Sequence, residues 1–225
     1  PDILAMTATP IPRTLALTVY GDMTVSEIHH LPAGRKPIIS TWKTSSQMKE
    51  VYRQMQEQLN QGFQIYAVTP LITESETLDL KNAEELHEKL SHDFPNHKVV
   101  LLHGQMPGAQ KDEIMTAFAA GEIDILVTTS VIEVGVDVAN ANMMVIYNAD
   151  RFGLSQLHQL RGRIGRGQTQ SYCVFLADPK TDSGKARMKI IASTNDGFKL
   201  AEEDLKMRGE GDLFGKAQSG LPEFR

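Results

Sequence analysis

Cysteine is nearly missing: Cys173 is the single one in 225 residues. An internal disulfide is therefore impossible, and such usage suits the cytosol. Long hydrophobic runs are missing too. The longest, such as Met143 to Tyr147, are far too short to cross a bilayer, so no membrane partner is expected. No basic-then-apolar leader opens the chain, which starts Pro1-Asp2-Ile3-Leu4 and reads as mid-domain sequence. No His/Cys/Asp spacing matches a zinc site, and His29-His30 reads as an exposed pair. A Gly-x-Ser-x-Gly nucleophile elbow is absent. So is any Gly-x-x-x-x-Gly-Lys-[Ser/Thr] loop to cradle α- and β-phosphates, or an Asp-Glu-x-His box to hold Mg²⁺. Gly209-x-Gly211 follows a charged helix rather than a strand, which excludes a nucleotide loop there.

Positive charge is also short overall. Lys and Arg total 23 against 28 Asp and Glu, a formal net charge of −5. Charge is local, however. Glu74 to Asp93 carries seven acids (Glu74, Glu76, Asp79, Glu84, Glu85, Glu88, Asp93) against Lys81 and Lys89, which accounts for the whole imbalance. Asp150 to Gly167 holds Arg151, Arg161, Arg163 and Arg166 against one acid, a local patch able to grip a few phosphates.

What is present is ordinary globular material, 41% apolar and 23% charged, enough for one α/β domain with a buried core and some extra structure. Apolar periodicity alternates between β-like runs and amphipathic helices from about Pro37 to Ala177. Strands are predicted at Pro37–Lys43, Phe63–Thr69, Lys98–His103, Ile123–Thr129, Met143–Asn148 and Ser171–Ala177. Between them, Met48, Val51, Tyr52, Met55 and Leu59 share a helical face capped by Ser45 or Ser46 and stopped by Gly62. Leu80, Ala83, Leu86 and Leu90 mark a second helix. Ile114, Met115 and Phe118 mark a third, ending at Gly121, and a fourth lies near Leu154–Gly162. This alternation implies a doubly wound parallel sheet with right-handed crossovers. In such sheets ligands sit beyond the carboxyl ends of the strands, here Thr69-Pro70, His103-Gly104, Thr128-Thr129-Ser130 and Asn148-Ala149-Asp150, where the chemistry is expected. Residues 1–34 and 180–225 fall outside this unit. The latter turn helical and charged and end in a glycine-rich run through Gly209, Gly211, Gly215 and Gly220.

The strongest signal is Gln156-Leu157-His158-Gln159-Leu160-Arg161-Gly162-Arg163-Ile164-Gly165-Arg166. Arg163 and Arg166 lie three apart at a helix end or its exit. A guanidinium stays charged and binds phosphate oxygens as a fork. Gly162 and Gly165 remove bulk, so that a neighbouring domain can approach. A lone Arg-x-x-Arg is usually a solvated surface pair; Gln-x-x-Gly-Arg-x-Gly-Arg after a doubly wound sheet is specific.

That segment resembles the sixth motif of superfamily 2 helicases, and the rest follows that family's order. Thr7-Ala8-Thr9-Pro10 resembles motif III, which links hydrolysis to strand movement, and Ile11-Pro12-Arg13-Thr14 follows it as in the RecG and Mfd families. His103-Gly104 resembles motif IVa. Thr128-Thr129-Ser130-Val131-Ile132-Glu133-Val134-Gly135-Val136-Asp137 resembles motif V. Thr69-Pro70-Leu71-Ile72-Thr73-Glu74-Ser75 is similar to RecG rather than Mfd. Asp196-Gly197-Phe198, Ala201 to Leu205, Arg208-Gly209-Glu210-Gly211-Asp212 and Gln218-Ser219-Gly220 resemble the TRG motif, with Glu210 departing from the proline expected in many relatives.

The resemblance implies a RecA-like P-loop NTPase helicase C-terminal domain carrying a C-terminal helical hairpin. Residues 1–34 would be the remnant of a first motor domain and linker, 35–179 the second RecA-like domain, and 180–225 the TRG-like hairpin and loop. Arg163 and Arg166, with Gln159, would act in catalysis; Glu133, Gly135 and Asp137 would face the nucleotide. His103, Gly104, Thr128, Thr129 and Thr69 would contact DNA, and Thr7, Thr9, Arg187, Arg208 and Gln218 would couple motion. ATP and Mg²⁺ would be bound mainly by the absent first motor domain. The partners implied are branched double-stranded DNA (stalled forks and Holliday junctions) and the upstream motor and wedge domains, in a bacterial, nucleoid-associated cytoplasmic setting. The chain alone is expected to be inactive. Competing readings are a transcription-repair translocase, an RNA helicase, and a non-enzymatic interaction module on a degenerate helicase fold; intact Gln159, Gly162, Arg163, Gly165 and Arg166 argue against the last.

Overall fold

In the computed structural model, residues 36–71, 75–129 and 137–218 are described, with side chains of the last helix through Arg208. Six strands form one sheet: β1 (Ile39–Lys43), β2 (Gln64–Val68), β3 (Val99–Leu102), β4 (Ile125–Thr128), β5 (Ala141–Ile146) and β6 (Tyr172–Leu176). Their spatial order is β1-β6-β5-β2-β4-β3, and every pairing is parallel. Each predicted strand is present; five are shortened by a residue or two at one or both ends, while β5 spans Ala141–Ile146 rather than Met143–Asn148.

Parallel pairing demands crossovers, and helices supply them. α1 (Met48–Asn60), α2 (Glu76–Asp93), α3 (Gly108–Ala119) and α4 (Leu154–Arg161) lie between successive strands, while α5 (Asp182–Ser193) and α6 (Gly197–Gln218) follow β6. Successive side chains of a strand point to opposite faces, so the central strands feed two cores. On one face Tyr66, Val68, Met144 and Phe175 pack with Met115, Phe118, Leu154, Leu157, Leu160, Met188 and Leu200. On the other, Ile65, Ala67, Val145 and Val174 pack with Val51, Met55, Leu59 and Leu90. All residues of β2 and β5 are buried, which matches their mainly apolar character, with Gln64 and Asn142 as buried polar members.

Local chemistry sets the helix ends. Ser75 Oγ accepts from Leu78 N (3.3 Å) at the start of α2, and Thr181 Oγ1 accepts from Gly184 N (3.0 Å) at the start of α5. Gly62 and Gly121, at φ +85° and +81°, turn the chain out of α1 and α3. Two expectations need correction. Neither Ser45 nor Ser46 caps α1, whose N-cap position is Gln47: residues Ser45–Gln47 form a 3₁₀ turn capped by Thr44, Thr44 N donates to Gln47 Oε1 (3.0 Å), and Ser45 N donates to Asp178 Oδ1 (3.1 Å). The glycine-rich run is not a loop through Gly209, Gly211 and Gly215, because α6 continues to Gln218. Leu200 and Ala201 anchor its first turn in the core, and propagating an established helix is cheap enough to absorb glycines at about 1 kcal/mol each.

Candidate functional site

Helix α4 lies behind β5 with Leu154, Leu157 and Leu160 buried. It stops at Gly162, and the chain tightens into a turn in which Arg163 N donates to Leu160 O (3.0 Å) and Ile164 N to Arg161 O (3.2 Å). Ile164 is buried and pins the turn, leaving Arg163 and Arg166 half-buried on either side of it. Gly165 has φ +75°, and a Cβ there would meet Ile38 Cγ1 at 3.0 Å. At Gly167 a Cβ would meet Ala139 O at 3.0 Å. The space at Gly165 thus receives a residue of this chain, not a neighbouring domain, while a Cβ on Gly162 would meet only carbonyls of its own helix at 3.4 Å.

Ile38 precedes β1, Ala139 precedes β5, and residues 163–167 lead into β6, so the arginine turn stands where strands begin. This corrects the expectation that all the chemistry lies beyond the carboxyl ends. β5 and β6 are parallel neighbours. The helix joining them must run back along the sheet, so its C-terminal residues emerge at the opposite edge.

Asp137 shares that edge. Arg166 Nε lies 3.7 Å from Asp137 Oδ1, both side chains partly exposed. At that length the contact is an ion pair without a hydrogen bond, and Arg166 Nε is left buried with no hydrogen-bond partner. The charges of Arg163 and Asp137 both reach Tyr66, whose hydroxyl is pushed up to about 12, chiefly by burial. Gln159 and Arg163 each have a partner within the chain. A loosely held guanidinium with a spare donor and a second cation three residues away fits an anionic oxygen such as a phosphate's. These residues fit one wall of a nucleotide site. Among the described residues no three His, Cys, Asp or Glu stand together as metal ligands.

The strand ends form the other face, roughly 15 Å away along a five-residue strand. Thr69 N donates to Thr128 O (2.9 Å). His103 Nδ1 accepts from Gln105 N (3.2 Å), and Gln105 Nε2 donates to Glu76 Oε2 (2.9 Å). His103 is half-buried and Gly104 exposed. Thr69, Thr128 and Thr129 are buried, at 7%, 0% and 4% exposure. Only His103 and Gly104 of the five expected DNA contacts reach solvent, because β4 and β2 are interior strands whose last residues remain covered. Thr69 Oγ1 is buried without a partner.

Of the expected coupling residues, Arg187 Nη1 donates to Phe152 O (2.8 Å) and Nη2 to Asp150 O (3.0 Å), tying α5 to the 3₁₀ turn after β5. Arg208 is exposed, pairs with Asp204 one turn earlier (3.0 Å), and hangs over Gly153. Thr7, Thr9, Glu133 and Gly135 lie outside the described residues, as does the side chain of Gln218.

Arg161 was not expected where it is. Counted with the phosphate-gripping patch, it is 1% exposed and among the largest fully buried side chains. A signal for this exists: Arg161 stands four residues after Leu157 and seven after Leu154, on the apolar stripe of α4.

Residues 36–168 match the helicase conserved C-terminal domain. The chain belongs to that family. Residues 194–224 match domain 3, C-terminal, of the ATP-dependent DNA helicase RecG, and this helicase domain is therefore of RecG type. Over its whole length it is 59% identical to the ATP-dependent DNA helicase RecG of Streptococcus pneumoniae and 54% identical to that of Bacillus subtilis. It covers 34% and 33% of those proteins, so it spans about a third of the curated relatives it matches. A solved structure of RecG bound to a three-way DNA junction superimposes with TM-score 0.75 at 44% identity, over 92% of this chain and 27% of that one. Saccharomyces cerevisiae Dbp5 bound to RNA and ADP BeF3 shares the fold at TM-score 0.53 and 17% identity, covering 87% and 51%. The sheet is RecA-like. No helix among the described residues is long and apolar enough to cross a membrane.

Proposed function

We propose that this chain is the second motor domain of an ATP-dependent translocase that remodels branched double-stranded DNA (stalled forks and Holliday junctions) in bacterial repair and recombination. Residues 1–34 would be the tail of a first motor domain and its linker, 35–179 the motor domain itself, and 180–225 the coupling hairpin. The observation that carries the reading is the gathering of Arg163, Arg166 and Asp137 at one edge of the sheet, with His103 and Gly104 at the other. One rigid sheet then connects a phosphate-binding edge to a nucleic-acid-binding edge.

Mg²⁺ and ATP, held mainly by an upstream motor domain, supply the phosphoryl group and its activation. Arg163 and Arg166 reach that phosphate from across the cleft and stabilise the charge spreading over its oxygens. Arg166 leaves Asp137 to do so, and Asp137 is then free to accept a hydrogen bond on the nucleotide side. Closure carries His103 and Gly104 against the DNA backbone, and the hairpin passes the movement to an upstream wedge domain. Location in the cytoplasm, beside the nucleoid, follows from the substrate.

The test is Arg166→Ala in the full-length enzyme. ATP turnover should fall by about 10³-fold or more while junction affinity stays within about twofold. Normal turnover with lost junction binding would move Arg166 to a DNA contact and overturn the assignment.

A further inference from the structure

Arg161 is a buried cation with no carboxylate beside it among the described residues. Its Nη1 donates to Ser40 Oγ on β1 (3.1 Å) and to Ile191 O on α5 (2.7 Å), and its Nη2 donates to His158 Nδ1 on α4 (3.1 Å). Arginine has no acceptor, so His158 Nδ1 must be the unprotonated nitrogen, and the ring is neutral. Ile191 belongs to the last turn of α5, whose carbonyls lack intrahelical partners and carry the negative end of the helix dipole. Arg161 thus caps, from outside, the end of the hairpin's first helix.

Stability alone gives no reason for a charge here, since an apolar side chain of similar length would fill the space without desolvating a guanidinium. What the cation adds is connection. Arg161 is the last residue of α4, and its own carbonyl accepts from Ile164 N in the turn that carries Arg163 and Arg166. Its side chain holds β1 and the C-terminal end of α5. At its N-terminal half, α5 is already fastened to the β5 exit through Arg187. The hairpin helix is therefore pinned near both edges of the sheet, by Arg187 near the strand ends and by Arg161 beside the arginine turn.

We propose that Arg161 is a positioning residue that couples the arginine turn to the C-terminal hairpin, so that displacement of Arg163 and Arg166 is delivered to α5 and α6. This rests on the motor reading above. It is distinct from the expected coupling residues Arg187, Arg208 and Gln218, which lie on the hairpin itself; Arg161 lies on the side that meets nucleotide.

The experiment uses the full-length enzyme with Arg161→Met and Arg161→Lys, measuring ATP turnover and junction unwinding in the same samples, with thermal midpoints alongside. The number of junctions unwound per ATP should fall roughly tenfold in Arg161→Met. Arg161→Lys, which keeps the charge but can satisfy fewer of the three acceptors, should lie between it and wild type. A ratio equal to wild type in either folded variant overturns the proposal. So does a proportional loss of both activities, which would mark a purely structural role. Wild-type enzyme without junction-stimulated ATP turnover would instead remove the motor reading itself, and this proposal with it.

Discussion

His158 shows how one buried contact fixes a protonation state. Burial first, then the neighbouring Arg161 charge, presses its pKa from 6.5 to about 4, with Asp196 pulling the other way. A histidine whose folded pKa lies below its unfolded value contributes stability above pH 6.5, and that contribution is lost as pH falls from about 6.5 to about 4, because only the unfolded chain takes up the proton. The loss should be on the order of 2 kcal/mol after allowance for partial solvent access. Protonation would also turn Nδ1 into a donor facing Nη2 of Arg161. Urea unfolding of wild type and His158→Gln across that window should show a flatter pH dependence in the variant; parallel curves would refute the coupling. The residues that bear charge near it divide by environment rather than by type. Arg161 and Arg163 are two positions apart, yet one is fully buried and the other faces the open edge.

Elements decide where those residues point. α4 is eight residues long and carries the chain from the end of β5 to the start of β6, so everything after it appears at the strand-start edge. α5 returns along the same face, and Arg187 is its fastening to the preceding turn. Replacing Arg187 by Ala removes two hydrogen bonds to backbone carbonyls at Phe152 and Asp150. It should lower the unfolding free energy by about 2 kcal/mol, read as a lower urea midpoint with an unchanged slope. No change in midpoint would mean those carbonyls find water equally well. The helices and strands themselves were legible in the sequence, since apolar spacing of 2 and of 3 to 4 residues follows directly from which face is buried. Helix ends were less so. In the turn that Thr44 caps, Ser45 N donates to Asp178, 133 positions away in sequence, a contact no local pattern announces.

At the scale of the whole molecule, a single parallel sheet separates two working edges. On the motor reading proposed above, the cations at one edge would complete a nucleotide site only with another domain that brings the phosphate-cradling loop and the magnesium-holding carboxylates, motifs the 225 residues do not contain. The purified chain alone should therefore show no DNA-stimulated ATP hydrolysis above buffer, and joining it to the upstream third of a RecG-type protein should restore it, more with branched than with linear DNA. Turnover by the isolated chain would show that the phosphate site is built differently. The net charge of −5 is no obstacle, because six of the seven acids of residues 74–93 sit on α2 while Arg163 and Arg166 sit on the turn after α4.

Order of elements, parallel sheet and helicase motif VI were determined by the sequence alone, because apolar periodicity and a glycine-spaced arginine pair are local signals. The tertiary structure decided which edge each motif occupies, that Thr69, Thr128 and Thr129 are covered, and that Arg161 is an internal clamp and not a phosphate ligand. Those outcomes turn on the direction in which α4 must return and on neighbours far away in sequence, Ser40 and Ile191 above all, and no run of adjacent residues encodes a contact of that range.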